Sequence, residues 1–246
     1  LEIFKQHAQT KEAKTQVELA ELQYMLPRLT RAWTHLERQM GGIGTRAGAG
    51  ETQIEVDRRL VRTRISKLKT DLKKIENERE LQRKRRDNFF KVTLVGYTNA
   101  GKSTLMKAIS GSNVFIQNQL FATLDTTTRL VELDNSHSIM LSDTVGFVRK
   151  LPHHLVASFK STLKEIIDSD LILIVLDSSS KQVYDHYKTI IDVLKDLGAE
   201  RHKTLVTLNK VDHENVEHQI TYLKRKFPKG IFVSALNQLR INILSK

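Results

Sequence analysis

Between residues 10 and 40 apolar side chains recur at Leu19, Leu22, Leu26, Leu29, Trp33, Leu36 and Met40, the three-four spacing of a helix face packed on another helix. Pro27 interrupts the run; lacking an N–H and crowding the preceding turn, it predicts a kink or a short break. A second seam follows at Val61, Ile65, Leu68, Leu72 and Ile75, with basic residues on its other faces. Two amphipathic helices joined by a short connection predict an antiparallel hairpin. The joining stretch, residues 41–53, holds five of the eleven glycines and reads as a glycine-rich tip that cannot build a core. Its Gly42-Ile43-Gly44-Thr45-Arg46-Ala47 fits a loose dinucleotide-binding pattern, but that pattern needs a preceding strand and this one follows a helix, so it is rejected.

From Lys91 the texture changes. Short β-branched runs starting near residues 91, 138, 171, 203 and 230 alternate with helical stretches near 102–110, 153–168, 181–197 and 214–227. That alternation predicts an α/β domain with a mainly parallel sheet covered on both faces. TRLVEL at 128 and SIMLSDT at 138 flank Asp134-Asn135-Ser136 and predict a hairpin that adds one antiparallel edge strand. The basic stretch Arg83-Lys84-Arg85-Arg86 is the expected hinge, which places the domains at residues 1–88 and 89–246.

Composition narrows the class. With no cysteine, disulfides and thiolate metal sites are excluded. The longest apolar run, Leu171–Leu176, is far short of the roughly 20 residues of a membrane span, and no signal-peptide pattern is present. A soluble, cytoplasmic protein without a membrane partner is expected. The nine histidines form no recognised ligand spacing. The net charge is +12, and residues 1–91 carry +8 of it. Such an excess attracts polyanions by counterion release, nucleic acid or an anionic membrane surface, between which charge alone does not choose; on the nucleic-acid reading Arg58, Arg59, Arg62 and Arg64, with Arg46 at the tip, are the candidate RNA contacts.

Residues 96–103, Gly96-Tyr97-Thr98-Asn99-Ala100-Gly101-Lys102-Ser103, spell G-x-x-x-x-G-K-S between a predicted strand and a predicted helix that continues with Thr104. This is a phosphate-binding loop in its proper context. Gly96 and Gly101 are expected to let the backbone curl so that amides face phosphate oxygens. Lys102 would reach the β and γ phosphates, and Ser103 would ligate Mg²⁺. Asn209-Lys210-Val211-Asp212 follows an apolar strand: Asp212 can accept from both N1–H and N2–H of guanine, Asn209 would brace the loop, and the Lys210 stem would cover the base. Ser234-Ala235-Leu236 ends the next strand and would offer the Ala235 amide to guanine O6.

Asp143-Thr144-Val145-Gly146 ends a third strand. Asp143 suits a water-mediated Mg²⁺ contact, and the Gly146 amide suits the γ phosphate. In Phe121-Ala122-Thr123-Leu124-Asp125, Thr123 could close over the metal, with Thr126, Thr127 and Thr128 as rivals that spacing does not separate. Phe147 stands where many GTPases carry a water-positioning glutamine; a phenyl ring cannot do this, so slow intrinsic hydrolysis is expected. Asn99 resembles the asparagine that binds K⁺ in potassium-activated GTPases, with a loop-bracing amide as the alternative role.

Taken together, VELAELQYMLPRL at 17–29, GGIGTRAGAGETQIEVDRR at 41–59, GYTNAGKSTL, QLFATLDTTTR and SDTVGFVRKLPHHLVASFKSTLKE resemble the HflX family, in the Obg-like branch of translational GTPases. The resemblance implies a P-loop GTPase domain preceded by an antiparallel coiled-coil hairpin. It implies Thr123 as the Mg²⁺-ligating threonine of the first switch, Lys102, Thr123 and Gly146 at the reacting phosphate, and Phe147 as the family's replacement for glutamine. It further implies a monomeric GTP/GDP-binding factor that docks on the large ribosomal subunit and its rRNA and splits or rescues ribosomes under stress. Thr126 stands where the family often has proline. Family members also carry a further N-terminal α/β subdomain, and residues 1–16 look like the joint leading out of it, so the chain is expected to be a fragment that also stops within the last helix of the GTPase fold. The competing readings are a tRNA-modification GTPase that dimerises in K⁺, and a non-enzymatic coiled-coil scaffold, against which the intact Lys102, Ser103, Asp143 and Asp212 argue.

Overall fold

Thr10 opens the longest of the early helices: its hydroxyl accepts from the Ala13 amide at 3.1 Å and its carbonyl from the Lys14 amide at 3.0 Å, capping donors that have no partner inside the helix. The computed structural model describes residues 2–8, 10–39, 47–84, 88–111, 126–133, 137–147 and 160–244. Up to Leu81 the described residues form one compact unit, and from Gln82 on they form another.

The first unit contains α1 (Glu2–His7), α2 (Lys11–Gln39) and most of α3 (Ala47–Lys84). Leu19, Ile65 and Leu68 form its buried seam, flanked by Leu22, Leu26, Val61 and Leu72. Leu19 lies about as far before the end of α2 as Ile65 lies after the start of α3, so the two helices run antiparallel. Of the two outcomes expected at Pro27, a break does not occur: α2 runs through it, and Arg28 returns Nη1 to the Tyr24 carbonyl at 2.9 Å while its guanidinium lies 3.3 Å from the centre of the Tyr24 ring. One lost donor is a local defect that the surrounding turns outweigh. Nor is the whole of 41–53 a loop, because α3 begins at Ala47; Ala47, Ala49, Glu51 and Gln53 are strong helix formers and carry Gly48 and Gly50 with them. Residues 40–46 lie outside the described residues.

The second unit is built on β1 (Phe90–Gly96), β2 (Thr127–Glu132), β3 (Ser138–Asp143), β4 (Leu171–Asp177), β5 (Lys203–Asn209) and β6 (Ile231–Phe232), in the spatial order β2-β3-β1-β4-β5-β6. Only β2 is antiparallel, as the predicted hairpin requires. The helices are α4 (Lys102–Ser110), α5 (Lys160–Ile167), α6 (Val183–Asp196) and α7 (Ile220–Lys226), with 3₁₀ turns at Glu214–Val216 and Ile241–Ile243. The single helix expected over 214–227 is thus a 3₁₀ turn followed by a short α-helix. Central strands buried on both faces read as continuous apolar runs: Ile172 to Leu176 of β4 are all buried. Leu94, Leu105, Met106, Leu141, Leu173 and Val175 form the core under α4. The parallel register brings the carboxyl ends of β1, β3, β4 and β5 to one edge, where Gly96, Asp143, Asp177 and Asn209 gather. Ligands of open α/β sheets bind at that edge.

Candidate nucleotide-binding site

Gly96 is the last residue of β1 and does not make the turn. Its role is space, since a Cβ there would stand 2.4 Å from the Val175 carbonyl oxygen of the neighbouring strand. The curl comes from Asn99 (φ 60°) and Gly101 (φ 89°), and a side chain at Gly101 would also meet Asn209 Nδ2 at 2.3 Å. Lys102 begins α4 and is buried, with Nζ donating to the Gly96 carbonyl at 3.2 Å and the Tyr97 carbonyl at 3.1 Å. Burial holds its pKa below the ordinary lysine value, and the nearby Asp143 carboxylate opposes this more weakly. A buried ammonium whose hydrogen bonds among the described residues go to two carbonyl oxygens is suited to an anionic ligand.

Ser103, one residue on, donates from Oγ to Asp143 Oδ2 at 2.6 Å, so two oxygens predicted to serve a metal lie side by side at the ends of β3 and the loop. Thr144 and Val145 serve the core: the Thr144 hydroxyl donates to the Leu94 carbonyl at 2.7 Å, and both side chains are buried. Gly146 presses on the loop, with its Cβ position 2.8 Å from Thr98 Cα. Phe147 is buried too, its amide donating to Gly96 O at 3.0 Å and its carbonyl accepting from the Thr98 amide at 2.9 Å. The ring therefore packs inward while the backbone bonds the segment to the phosphate loop.

Asn209 ends β5 and joins this loop to the opposite side of the edge. Its Nδ2 donates to the Ala100 carbonyl at 3.0 Å and its Oδ1 accepts from the Ala235 amide at 2.9 Å. The Ala235 amide, expected to face guanine O6, is thus turned to Asn209, because the bond to Ala100 leaves Oδ1 pointing that way. Lys210, in a left-handed turn at φ 63°, places Nζ 2.7 Å from Asp177 Oδ2, and Asp177 Oδ1 accepts from both the amide and the hydroxyl of Ser179. Asp212 is exposed and accepts from Asn237 Nδ2 at 3.2 Å, while the Asn237 amide donates to Ser234 Oγ at 3.1 Å. Val211 donates its amide to Val233 O at 3.3 Å, and Leu236 is exposed. Asp177, Ser179 and Asn237 were not singled out from sequence. An acidic residue closing an apolar parallel strand was the signal for Asp177; Asn237 carried none.

A phosphate loop, an adjacent Ser–Asp pair and a loop-bridging asparagine sit on one edge of a mainly parallel sheet. Residues 7–86 match the family described as the GTP-binding GTPase middle region, and residues 91–210 match that described as 50S ribosome-binding GTPase. The chain is 51% identical to GTPase HflX of Magnetococcus marinus, over 86% of this chain and 50% of that protein, and 46% identical to GTPase HflX of Escherichia coli, over 96% and 56%. The chain belongs to the HflX family of GTPases.

The HflX-family chain spans about half the length of the curated relatives it matches. A GTP-binding protein of Sulfolobus solfataricus solved in complex with GDP shares 28% identity at a TM-score of 0.58, over 99% of this chain and 67% of that one. Phe121, Ala122, Thr123, Leu124 and Asp125, with Arg46 and Arg85, lie outside the described residues. Of the three threonines that rival Thr123 on spacing, Thr128 bonds Ser142 Oγ at 2.9 Å across the β2–β3 pair and Thr127 pairs with Asp143, so these two are strand residues. Asn99 is exposed, and its turn at φ 60° helps curl the loop. In the helical unit Arg58 is half-buried while Arg59, Arg62 and Arg64 are exposed, and Arg64 already forks onto Glu18 at 2.6 and 2.9 Å. No described helix is long and apolar enough to cross a membrane.

Proposed function

We propose that the protein binds GTP and hydrolyses it to GDP and phosphate, and that its nucleotide state governs docking of the basic helical hairpin on the large ribosomal subunit. The observation that carries the nucleotide half is the meeting of Gly96–Ser103, Asp143 and Asn209 at one sheet edge. Lys102 holds the phosphates, Asp212 reads guanine, and the loop amides from Tyr97 to Thr104 enclose the phosphate oxygens. Ser103 Oγ and Asp143 Oδ2 form a hard-oxygen pair suited to Mg²⁺, which Ser103 and Asp143 would hold together with Thr123. Bound there, Mg²⁺ would neutralise phosphate charge. Thr123 and the Gly146 amide contact the γ phosphate. Phe147, turned into the core, leaves the attacking water without a side-chain base, so the intrinsic rate is slow and the ribosome supplies the missing orientation.

The ribosomal half is supported by the description of the family matching residues 91–210 and by the +8 charge of residues 1–91. We assign residues 1–88 as the docking arm and 89–246 as the GTPase domain of a monomeric cytoplasmic factor that splits or rescues stressed ribosomes. Asn99, exposed within the phosphate loop, favours a second reading, K⁺-stimulated turnover through GTPase-domain dimers. The test is GTP turnover and co-sedimentation with purified large subunits, using GDP and a non-hydrolysable GTP analogue. Turnover should rise with subunits, retention should require the GTP form, and Ser103→Ala should abolish turnover. Equal retention in both nucleotides refutes the docking reading, and K⁺-dependent dimerisation without subunits supports the second one.

A further inference from the structure

The ring of Tyr97 lies flat on the imidazole of His186, the centroids 4.0 Å apart and the planes 10° from parallel. The two residues come from different layers. Tyr97 is the second residue of the phosphate loop; His186 is in the first turn of α6, its amide bonded to Gln182 O at 2.9 Å, on a helix anchored by buried Val183, Ile190 and Leu194. The loop thus rests a side chain on a rigid element.

The backbone of Tyr97 is where the loop's own bonds converge. Its carbonyl accepts from Lys102 Nζ at 3.1 Å and from the Ala100 amide at 3.2 Å, and the residue pairs as an isolated parallel bridge with Phe147. Ring and carbonyl hang from the same Cα, so losing the stack would let the Tyr97 backbone shift, and with it the tether of Lys102 and the register of Phe147. We propose that His186 is a positioning residue of the nucleotide site, acting through the flat face of Tyr97 to hold the Tyr97 carbonyl against the Lys102 ammonium. The holding force proposed is the stacking of two planar rings, so an aromatic plane at position 186 should suffice. This rests on reading residues 96–103 as a phosphate loop.

The experiment measures release of a fluorescent GDP from the full chain by stopped flow, with a thermal melt of every variant. His186→Ala should speed release about two- to tenfold, the range set by one aromatic pair. His186→Phe should restore the wild-type rate and His186→Gln should not, a contrast that a merely space-filling role would not produce. Tyr97→Ala should act like His186→Ala, and the double variant should be no faster than either single one, because both remove the same contact. Wild-type release in His186→Ala, rescue by Gln but not by Phe, or multiplicative effects in the double variant would each overturn the proposal. If His186→Ala fails to fold, the Phe–Gln contrast decides alone. Failure of the wild-type chain to bind GDP would instead refute the phosphate-loop reading.

Discussion

The side-chain amide of Asn209 donates to the Ala100 carbonyl at 3.0 Å across 109 positions of sequence, so the loop after β5 and the loop after β1 share one hinge pin. Asn209→Ala removes that bond and the one from the Ala235 amide, leaving a buried acceptor and a buried donor without it. Each orphaned buried group costs roughly 1 to 3 kcal/mol. We expect the nucleotide-free protein to lose about 2 to 4 kcal/mol in urea titration and GDP affinity to fall with it. Unchanged stability would show that the pin carries no load.

Asp212 is exposed and touches the rest of the molecule through Asn237, so substitutions here should separate recognition from folding. Asp212→Asn exchanges an acceptor for a donor facing guanine N1–H or N2–H. Guanine affinity should drop by about 1 to 3 kcal/mol with little change in melting temperature. A purine bearing a carbonyl at C2 should gain in relative affinity, because the new amide can donate to it. Competition of xanthosine and guanosine triphosphates against a fluorescent nucleotide measures both, and equal guanine binding by mutant and wild type would dismiss Asp212 as the reader.

The sheet and the phosphate loop were legible because both rest on local rules: apolar runs mark strands buried on two faces, and G-x-x-x-x-G-K-S after a strand leaves the loop few conformations. Tertiary neighbours decided what was missed. Asp177 clamps Lys210 only because β4 and β5 pair in parallel with Asp177 beside Asn209, a register that spacing alone does not give. Asn237 reaches Asp212 only because the loop after Ser234 folds back, with the Ser234 and Leu239 backbones bonded in both directions. The start of α3 is hidden for the opposite reason: Gly48 and Gly50 have the composition of a loop, and the helix formers around them carry the helix back to Ala47 all the same.

Lys102 carries a testable conflict between stability and function. Its ammonium is buried and its pKa is lowered chiefly by that burial, so holding the charge costs stability in the absence of phosphate. Lys102→Met keeps the shape and removes the charge. The two carbonyls it releases keep other donors, Gly96 O the Phe147 amide and Tyr97 O the Ala100 amide. Nucleotide-free Lys102→Met should therefore be more stable by about 1 to 2 kcal/mol near neutral pH while nucleotide binding is lost. The sign with pH follows from the lowered value. Between the folded and unfolded pKa the unfolded chain binds more protons, so wild-type stability rises with pH there and the advantage of the mutant shrinks. Denaturant titrations at neutral and alkaline pH check this, and a mutant less stable at both would mean that the attraction of Asp143 outweighs burial.

The hairpin arginines should divide by what already neutralises them. Arg64 is forked onto Glu18, which raises its pKa, so its charge is matched within the helical pair. Arg58, Arg59 and Arg62 stand on one stripe of α3 and, with Glu55, Val56 and Thr63, line a shallow hollow. Among the described residues these three arginines make no ion pair, so they are available to phosphates. A cation that contacts phosphate contributes affinity without sequence preference and steepens the salt dependence by roughly one counterion. Reversing Arg59 and Arg62 to glutamate should weaken binding to large subunits and flatten the slope of log affinity against log salt by about 2. Reversing Arg64 should flatten it little and disturb the α2–α3 pair instead, visible as a loss of helical signal on heating. Sedimentation across a salt series, with GTP binding as the control that must not change, separates these outcomes. A flattening of about 1 for Arg64→Glu, half that of the double reversal, would mean that the Glu18 pair opens on the ribosome and that Arg64 also faces RNA; an unchanged slope in both would leave the stripe as a solvated helix face.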